Sequence, residues 1–197
     1  MGTFTLHEFR SHVLGGTSLA RANRFEVLII PPPALASYGR FVSLFVEQAS
    51  FPLLNIGVKP LKIHNTPQQQ RPINIEYGGE GMLLNIHLDG QMFVKKFFDD
   101  WCHHVINPYD YTVSYQEDYV STVIIRQLNE LDQITYQVEL REAFPRNFNP
   151  VQLDHNSLSQ TSRLSVLFSY RHWEESGLSI GIPVQNQFIS REINNVT

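Results

Sequence analysis

The sequence predicts a mainly β, antiparallel fold with one flanking amphipathic α-helix, and three observations lead to this prediction. Apolar and polar residues alternate with a period of two along several segments, which puts alternate side chains on a buried strand face. One segment instead repeats its apolar residues at helical spacing. Prolines fall between and within the weaker segments and confine strand pairing to edges, ends and turns.

The first part of the chain holds the weaker strand signals. We predict strands at residues 25–30, 41–47, 58–64 and 72–77, which are apolar or β-branched but interrupted by proline. A clearer strand follows at 84–88, where Leu84, Ile86 and Leu88 alternate with polar residues. Because several short strands succeed one another, the chain is predicted to be built around sheets.

The clearest helical segment spans residues 91–105. Phe93, Phe97 and Trp101 recur at i, i+4 and i+8, which aligns them on one side of a helix. Asp89 precedes the segment and is suited to cap it. We therefore expect a core helix that packs these three side chains on a sheet.

The strongest strand signal lies in the second half of the chain. A β-branched run at 122–125 and an alternating segment at 134–141 are joined by a polar, turn-like stretch, which predicts a long hairpin over 119–141. Four polar residues of this hairpin share one strand face: Thr135, Gln137, Glu139 and Arg141. A last strand is predicted at 164–170.

Composition excludes several classes of protein. With 42% hydrophobic and 17% charged residues, the 197-residue chain is predicted to fold and not to be disordered. The net charge of −4 disfavours tight DNA binding. The single Cys102 cannot form an intrachain disulfide, which favours synthesis in a reducing cytoplasm. The longest apolar run, residues 27–30, is too short to span a membrane, and no signal peptide is visible.

Several clusters resemble catalytic or metal sites, but their spacing favours structural roles. Neighbours on a helix diverge by roughly 100°, so Cys102, His103 and His104 are not expected to converge on an ion or form a nucleophile pair. The adjacent acid pairs 99–100 and 174–175 are interpreted as solvated faces. The glycines at 78–81 lack the lysine of a phosphate loop. The sequence thus predicts no enzyme, cofactor or metal site.

An ordered series of short motifs carries a family resemblance. The motifs are LARANRFEV at 19–27, EQASFP at 47–52, FDDW at 98–101, AFP at 143–145 and a final strand that leads to Trp173. This series resembles the tail-tube family of contractile-tailed bacteriophages over roughly residues 9–173. Residues 6–9 followed by 21–23 also resemble the baseplate proteins that initiate the tube. Tube subunit and tube initiator therefore both stay open.

The resemblance implies a small antiparallel β-barrel or sandwich flanked by the helix. It implies hexameric rings that stack along the tube or at the baseplate, with the inner strands joined around a channel that DNA crosses without specific binding. Thr135, Gln137, Glu139 and Arg141 are then candidates to face that channel. Arg126 shares the face with Glu139, so a uniformly acidic channel is not expected. Tail sheath and tape-measure proteins are implied partners, and the virion tail is the implied location.

The resemblance also suggests how the chain divides. We expect a tube-like domain at 1–173, with an N-terminal arm at 1–20 that holds a short helix at 6–14. Residues 174–197 form an extension with apolar residues but no sustained period, and we expect it to dock on neighbouring subunits.

Two other functions stay as alternatives. Alternating strands and 12% aromatic residues also suit a small-ligand-binding β-barrel. A hydrolase with an unrecognised site is the third hypothesis. A hexameric ring favours the tube, whereas a monomer with an apolar interior cavity favours the ligand-binding barrel.

Overall fold

The computed structural model describes residues 6–7, 10–11, 19–61, 69–77, 81–151, 153–154 and 161–176. Its strands are β1 (Phe25–Ile30), β2 (Val46–Ala49), β3 (Leu54–Leu61), β4 (Gln69–Tyr77), β5 (Met82–His87), β6 (Ser121–Leu128), β7 (Ile134–Phe148), β8 (Arg163–Ser169) and β9 (His172–Glu175). Its helices are α1 (Gly39–Ser43), α2 (Phe93–Val105) and α3 (Gln116–Tyr119), with a 3-10 helix at Pro33–Tyr38. None of the described helices is long and apolar enough to cross a membrane.

Two antiparallel sheets share the long strand β7. The first sheet has the order β1-β6-β7-β9, and the second has the order β7-β8-β5-β2. The first part of β7 pairs with β6 and β9, whereas its last part, from Phe144 to Phe148, pairs with β8. One strand therefore leads the chain from one layer to the other, and the mainly β, antiparallel prediction is confirmed.

Glu142 marks the bend of β7. Its φ is +53°, in the left-handed region that a residue with a Cβ adopts at a cost. The following residue, Ala143, is fully buried, and its carbonyl accepts a hydrogen bond of 2.8 Å from Ser121 Oγ. This contact holds the start of β6 against the bend.

The space between the sheets is filled by apolar side chains. The first sheet contributes Val27, Ile29, Val123, Ile125 and Leu140, and the second contributes Met82, Leu84, Ile86, Leu164, Val166 and Phe168. Phe98 and Trp101 of α2 lie in the same cluster, with their rings 6.2 and 5.9 Å from that of Phe168. A ligand-binding barrel would need a cavity where these rings pack.

Helix α2 begins two residues later than the sequence indicates and lies against this core. Phe97 and Trp101 are buried, while Phe93 is half-buried with its ring 5.3 Å from that of Phe41. Trp101 Nε1 donates a hydrogen bond of 2.9 Å to the Tyr119 carbonyl. Asp89 caps the helix from a distance, because its Oδ1 accepts the Val94 N–H at 3.0 Å.

The strand predicted at 41–47 is wrong in its first part. The chain forms α1 there and turns into β2 only at Val46. Ser43 Oγ fixes the helical turn against β1, since it accepts the Ile29 N–H at 2.9 Å and donates to the Gly39 carbonyl at 2.7 Å. A short apolar run does not distinguish helix from strand, and the contact of Ser43 with β1 is a tertiary interaction that the local sequence does not show.

Other boundaries differ at the ends of elements. The predicted hairpin strand at 134–141 continues through the bend to Phe148, and a last strand, β9, extends to Glu175. Residues 6–7 and 10–11 are helical, within the predicted arm helix, whose other residues lie outside the described ranges. Most of the predicted extension, from residue 177 onward, also lies outside them.

Candidate functional site

The outer face of the first sheet carries all four predicted polar residues. Val138 and Leu140 are buried, so the alternation of β7 turns Thr135, Gln137, Glu139 and Arg141 to the other side. Neighbouring strands add Glu26 and Arg126 opposite one another, and Glu174 and His172 opposite Glu139 and Arg141. Strand pairing thus gathers charged side chains from four segments of the chain.

These side chains form one continuous chain of polar contacts, which we call the polar ladder: Glu26, Arg126, Gln137, Glu139, Arg141, Glu174 and His172. Arg126 Nη1 lies 3.1 Å from Glu26 Oε2, and its Nε donates to Gln137 Oε1 at 2.8 Å. Gln137 Nε2 in turn donates to Glu139 Oε1 at 3.0 Å. The first half of the ladder therefore crosses three strands.

Arg141 joins the second half of the ladder. Its Nη2 lies 2.7 Å from Glu139 Oε2, and its Nε donates to Glu174 Oε2 at 3.2 Å. His172 Nε2 lies 3.3 Å from the other oxygen of Glu174. Hydrogen bonds from His172 and Arg141 lower the pKa of Glu174, so this carboxylate stays charged into acid solution.

The ladder neutralises most of its own charge. Three carboxylates face two guanidinium groups, and each arginine has a carboxylate partner in the same protomer. Thr135 stands outside the ladder, because its Oγ1 donates to the Gln127 carbonyl at 3.2 Å. An open cleft of about 530 Å³ borders the ladder beside Arg141 and His172.

Sequence reasoning missed three members of the ladder: Glu26, His172 and Glu174. Each of them lies on the outer face of the first sheet because its strand pairs with a segment distant in the chain. The local sequence pattern does not predict that pairing. In β1 the buried Val27 and Ile29 alternate with Glu26 and Leu28, which puts Glu26 on the outer face, but Glu26 is the only polar residue of the strand and gives no alternating sequence pattern.

A second candidate surface is the β3–β4 hairpin, which forms a separate two-stranded sheet. Its apolar side chains share one face and are 42–65% exposed: Leu54, Ile56, Val58, Ile73, Ile75 and Tyr77. The other face is polar, with Lys59 opposite Arg71 and Asn55 opposite Glu76. We call the first of these the apolar hairpin face.

The base of the hairpin is anchored beside β9. The Tyr77 ring lies 6.1 Å from the Trp173 ring and 6.4 Å from His172. Leu54 pairs with Tyr77 at this base, and the register runs outward to Leu61 and Gln69. The hairpin therefore extends from the edge strand of the sheet that carries the polar ladder.

The clusters that resembled catalytic sites have separate structural contacts. Burial raises the pKa of Cys102 to about 11, with a further rise from Asp99 and a partial offset from Lys95. Its Sγ faces the Pro145 carbonyl at 3.8 Å, whereas His104 Nε2 lies 3.2 Å from the Asp118 carbonyl. Among the described residues, no group of three or more His, Cys, Asp or Glu side chains could hold a metal ion.

The fold and the sequence together define a class of protein. The family model described as phage tail tube protein matches residues 20–176. The chain therefore belongs to the phage tail tube protein family. A comparison with curated protein sequences finds no significant match.

Solved structures of contractile injection systems share the fold. A chain of the anti-feeding prophage baseplate, 6-fold symmetrised, has a TM-score of 0.61 at 16% identity and covers 83% of this chain and 99% of that one. A chain of the extracellular contractile injection system PVC sheath-tube complex has a TM-score of 0.59 at 9% identity, with coverages of 89% and 100%. A chain of the tube-terminating cap of the anti-feeding prophage has a TM-score of 0.57 at 12% identity, with coverages of 81% and 91%. The family and the fold are those of structural tube proteins.

Proposed function

We propose that this protein is a structural subunit of the tail tube of a contractile-tailed phage. Copies form a hexameric ring, and rings stack around a channel for DNA, either along the tube or at its baseplate end. The proposal follows from the family and, above all, from the apolar hairpin face. That face needs a protein partner, and a neighbouring copy supplies one in a ring.

An exposed two-stranded ribbon with an apolar face is costly for a lone protomer. An isolated hairpin is marginally stable in water, and a contiguous apolar face favours association. Ile56 and Ile75 are 52% and 58% exposed and lie directly opposite each other, so they form the middle of one patch. Packing this patch on an adjacent copy removes it from water and covers strand edges that otherwise promote aggregation.

The polar ladder suits the wall of the channel. A conduit for DNA has to meet phosphates without holding them, because each contact between a cation and a phosphate adds affinity. Arg126 and Arg141 are already paired with carboxylates, so a phosphate would have to displace a partner. On this proposal Thr135, Gln137, Glu139 and Arg141 face the lumen, and DNA passes without specific binding.

The remaining assignments follow from this role. The protein is made in the host cytoplasm and resides in the virion tail, where sheath and tape-measure proteins are its further partners. Residues 1–176 form the tube-like domain with its arm at 1–20, because β9 of the first sheet runs beyond the expected boundary at 173 to Glu175. The remainder of the expected extension, from residue 177, docks on neighbouring subunits. The structural neighbours come from a baseplate, a sheath-tube complex and a tube cap, which is consistent with either position in the tail.

Native mass spectrometry and negative-stain imaging test the proposal. The wild-type chain should form hexameric rings or stacked tubes. Ile56→Asp with Ile75→Asp should leave a folded protomer but raise the protein concentration needed for assembly, because both side chains are exposed in the protomer. Leu131→Asp is the matched control, since Leu131 is 78% exposed in the β6–β7 turn. A wild-type chain that stays monomeric would contradict the proposal.

A further inference from the structure

A surface loop between α2 and β6 presents several aromatic side chains to solvent. Tyr109, Tyr111 and Tyr115 are 93%, 80% and 85% exposed, and Val113 between them is 65% exposed. We call residues 106–119 the tyrosine loop. Tyrosine is enriched at the centres of protein interfaces because it gives a large contact area at low entropic cost.

The tyrosine loop is held in one conformation by its own hydrogen bonds. Asn107 N donates to the Thr112 carbonyl at 3.0 Å, and Tyr111 N donates to the Asn107 carbonyl at 2.9 Å. Ser114 Oγ donates to the His104 carbonyl at 2.6 Å, which ties the loop to the end of α2. Tyr111 has a φ of +57°, a strained value for a tyrosine. The backbone that carries the exposed rings is therefore preorganised.

The segment that carries these rings is also acidic. Asp110, Glu117 and Asp118 are exposed, and the sequence has no lysine or arginine from residue 97 to residue 125. Hydrogen bonds from Thr112 lower the pKa of Asp110, so it remains negative. None of the three carboxylates forms an ion pair with a described residue. Aromatic faces beside carboxylates favour a partner that carries lysine or arginine.

The β3–β4 hairpin carries a complementary charge. Lys59 and Arg71 lie directly opposite each other on its polar face, away from the apolar hairpin face. Like charges in a cross-strand pair repel each other. Neither cation forms an ion pair with a described residue. An anionic partner between them would relieve the repulsion.

We infer that the Lys59–Arg71 pair of one copy binds the tyrosine loop of a neighbouring copy in the assembled ring or stack. The inference rests on the proposed function, because it requires copies to associate. It commits to a second copy of this chain, since the same sequence supplies both an aromatic, acidic surface and a basic pair that lacks an anion. Each copy then gives its hairpin to one neighbour and receives the hairpin of another, a head-to-tail contact that can close a ring.

Charge reversal tests the contact on the full-length chain. A hairpin variant, Lys59→Glu with Arg71→Glu, and a loop variant, Glu117→Lys with Asp118→Lys, should each raise the half-assembly concentration by about tenfold or more. Neither variant alters Asp110, whose carboxylate supports the loop. The control, Arg40→Glu with Lys96→Glu, changes two exposed cations on α1 and α2 and should assemble like the wild type.

Mixing the two defective variants gives the decisive readout. In an alternating assembly every acidic hairpin meets a basic loop and every basic hairpin meets an acidic loop, so an equimolar mixture should recover wild-type assembly. If the wild type assembles and neither variant is impaired in assembly, the inference is wrong and the proposed function stands. The same conclusion follows if the equimolar mixture does not recover assembly. Failure of the wild type to assemble would instead contradict the proposed function.

Discussion

Arg171 Nη1 donates a hydrogen bond of 2.8 Å to Glu142 Oε1, and this contact holds the bend at which β7 passes from one sheet to the other. The second oxygen of Glu142 accepts from Gln116 Nε2 at 2.7 Å. A strained residue is thus clamped from two elements, one before β6 and one between β8 and β9. The two contacts give the Glu142 side chain partners at a position whose φ favours glycine.

Substitution at this bend should separate strain from hydrogen bonding. Glu142→Ala loses both contacts and keeps the positive φ, whereas Glu142→Gly loses the contacts but relieves the strain. We expect both variants to lower the free energy of unfolding, and the alanine variant to be the less stable by about 1 kcal/mol. Chemical denaturation of the two proteins measures the difference. An alanine variant more stable than the glycine variant would contradict the strain argument.

Removal of the indole at the centre of α2 should destabilise the protein. Trp101 is fully buried and fills the space between the sheets. Trp101→Ala should cost about 3–5 kcal/mol and yield unfolded or insoluble protein. His103→Ala is the control, because His103 lies on the exposed side of the same helix. Its free energy of unfolding should stay within about 0.5 kcal/mol of the wild-type value. A soluble Trp101→Ala protein with unchanged denaturation would show that α2 is not a core helix.

Engineered cysteines should locate the lumen. Gln137→Cys should react with a bulky thiol reagent in separated protomers and be protected in assembled tubes. Native Cys102 should interfere little, because a pKa of about 11 leaves roughly one thiolate in a thousand near pH 8. The wild-type chain measures that background. Equal labelling of Gln137→Cys in both states would place this sheet face outside the lumen.

Loss of carboxylates from the polar ladder should make the channel hold DNA. Wild-type assemblies should show no duplex binding near physiological salt. Glu139→Gln with Glu174→Gln frees Arg141 from both partners and should raise salt-sensitive DNA affinity by about tenfold. Glu76→Gln with Asp100→Asn removes the same charge without freeing an arginine, and should not bind. Equal DNA affinity of the two double variants would assign the effect to net charge alone.

Acid should weaken the contact between β7 and β9. The pKa of Glu174 is lowered in the folded protein by hydrogen bonds from His172 and Arg141. A lowered folded pKa stabilises the fold above the unfolded pKa, and this contribution is lost as the pH falls through the lowered value. The difference in unfolding free energy between wild type and Glu174→Gln should therefore shrink as the pH falls below about 4. A difference that is constant with pH would show that Glu174 gains nothing from its charge.

The sequence by itself determined the strand-rich class, the helix with Phe97 and Trp101 on its buried side, and the polar row at 135, 137, 139 and 141. These features depend on local periodicity, which a single segment displays in full. The resemblance that led to the tail tube family rested on motif order, which the chain also carries in its own sequence.

Tertiary structure alone decided which distant segments meet. Glu26 and Glu174 joined the polar ladder because β1 and β9 pair with β6 and β7, and such partners leave no mark in the local pattern. The segment Gly39–Ser43 is helical, and its Ser43 Oγ accepts a hydrogen bond from the Ile29 N–H of β1, a partner 14 residues away in the chain. Ile56 and Ile75 are exposed because the β3–β4 hairpin forms a sheet separate from the two main sheets. The local alternation predicts an apolar strand face but does not say which molecule covers that face.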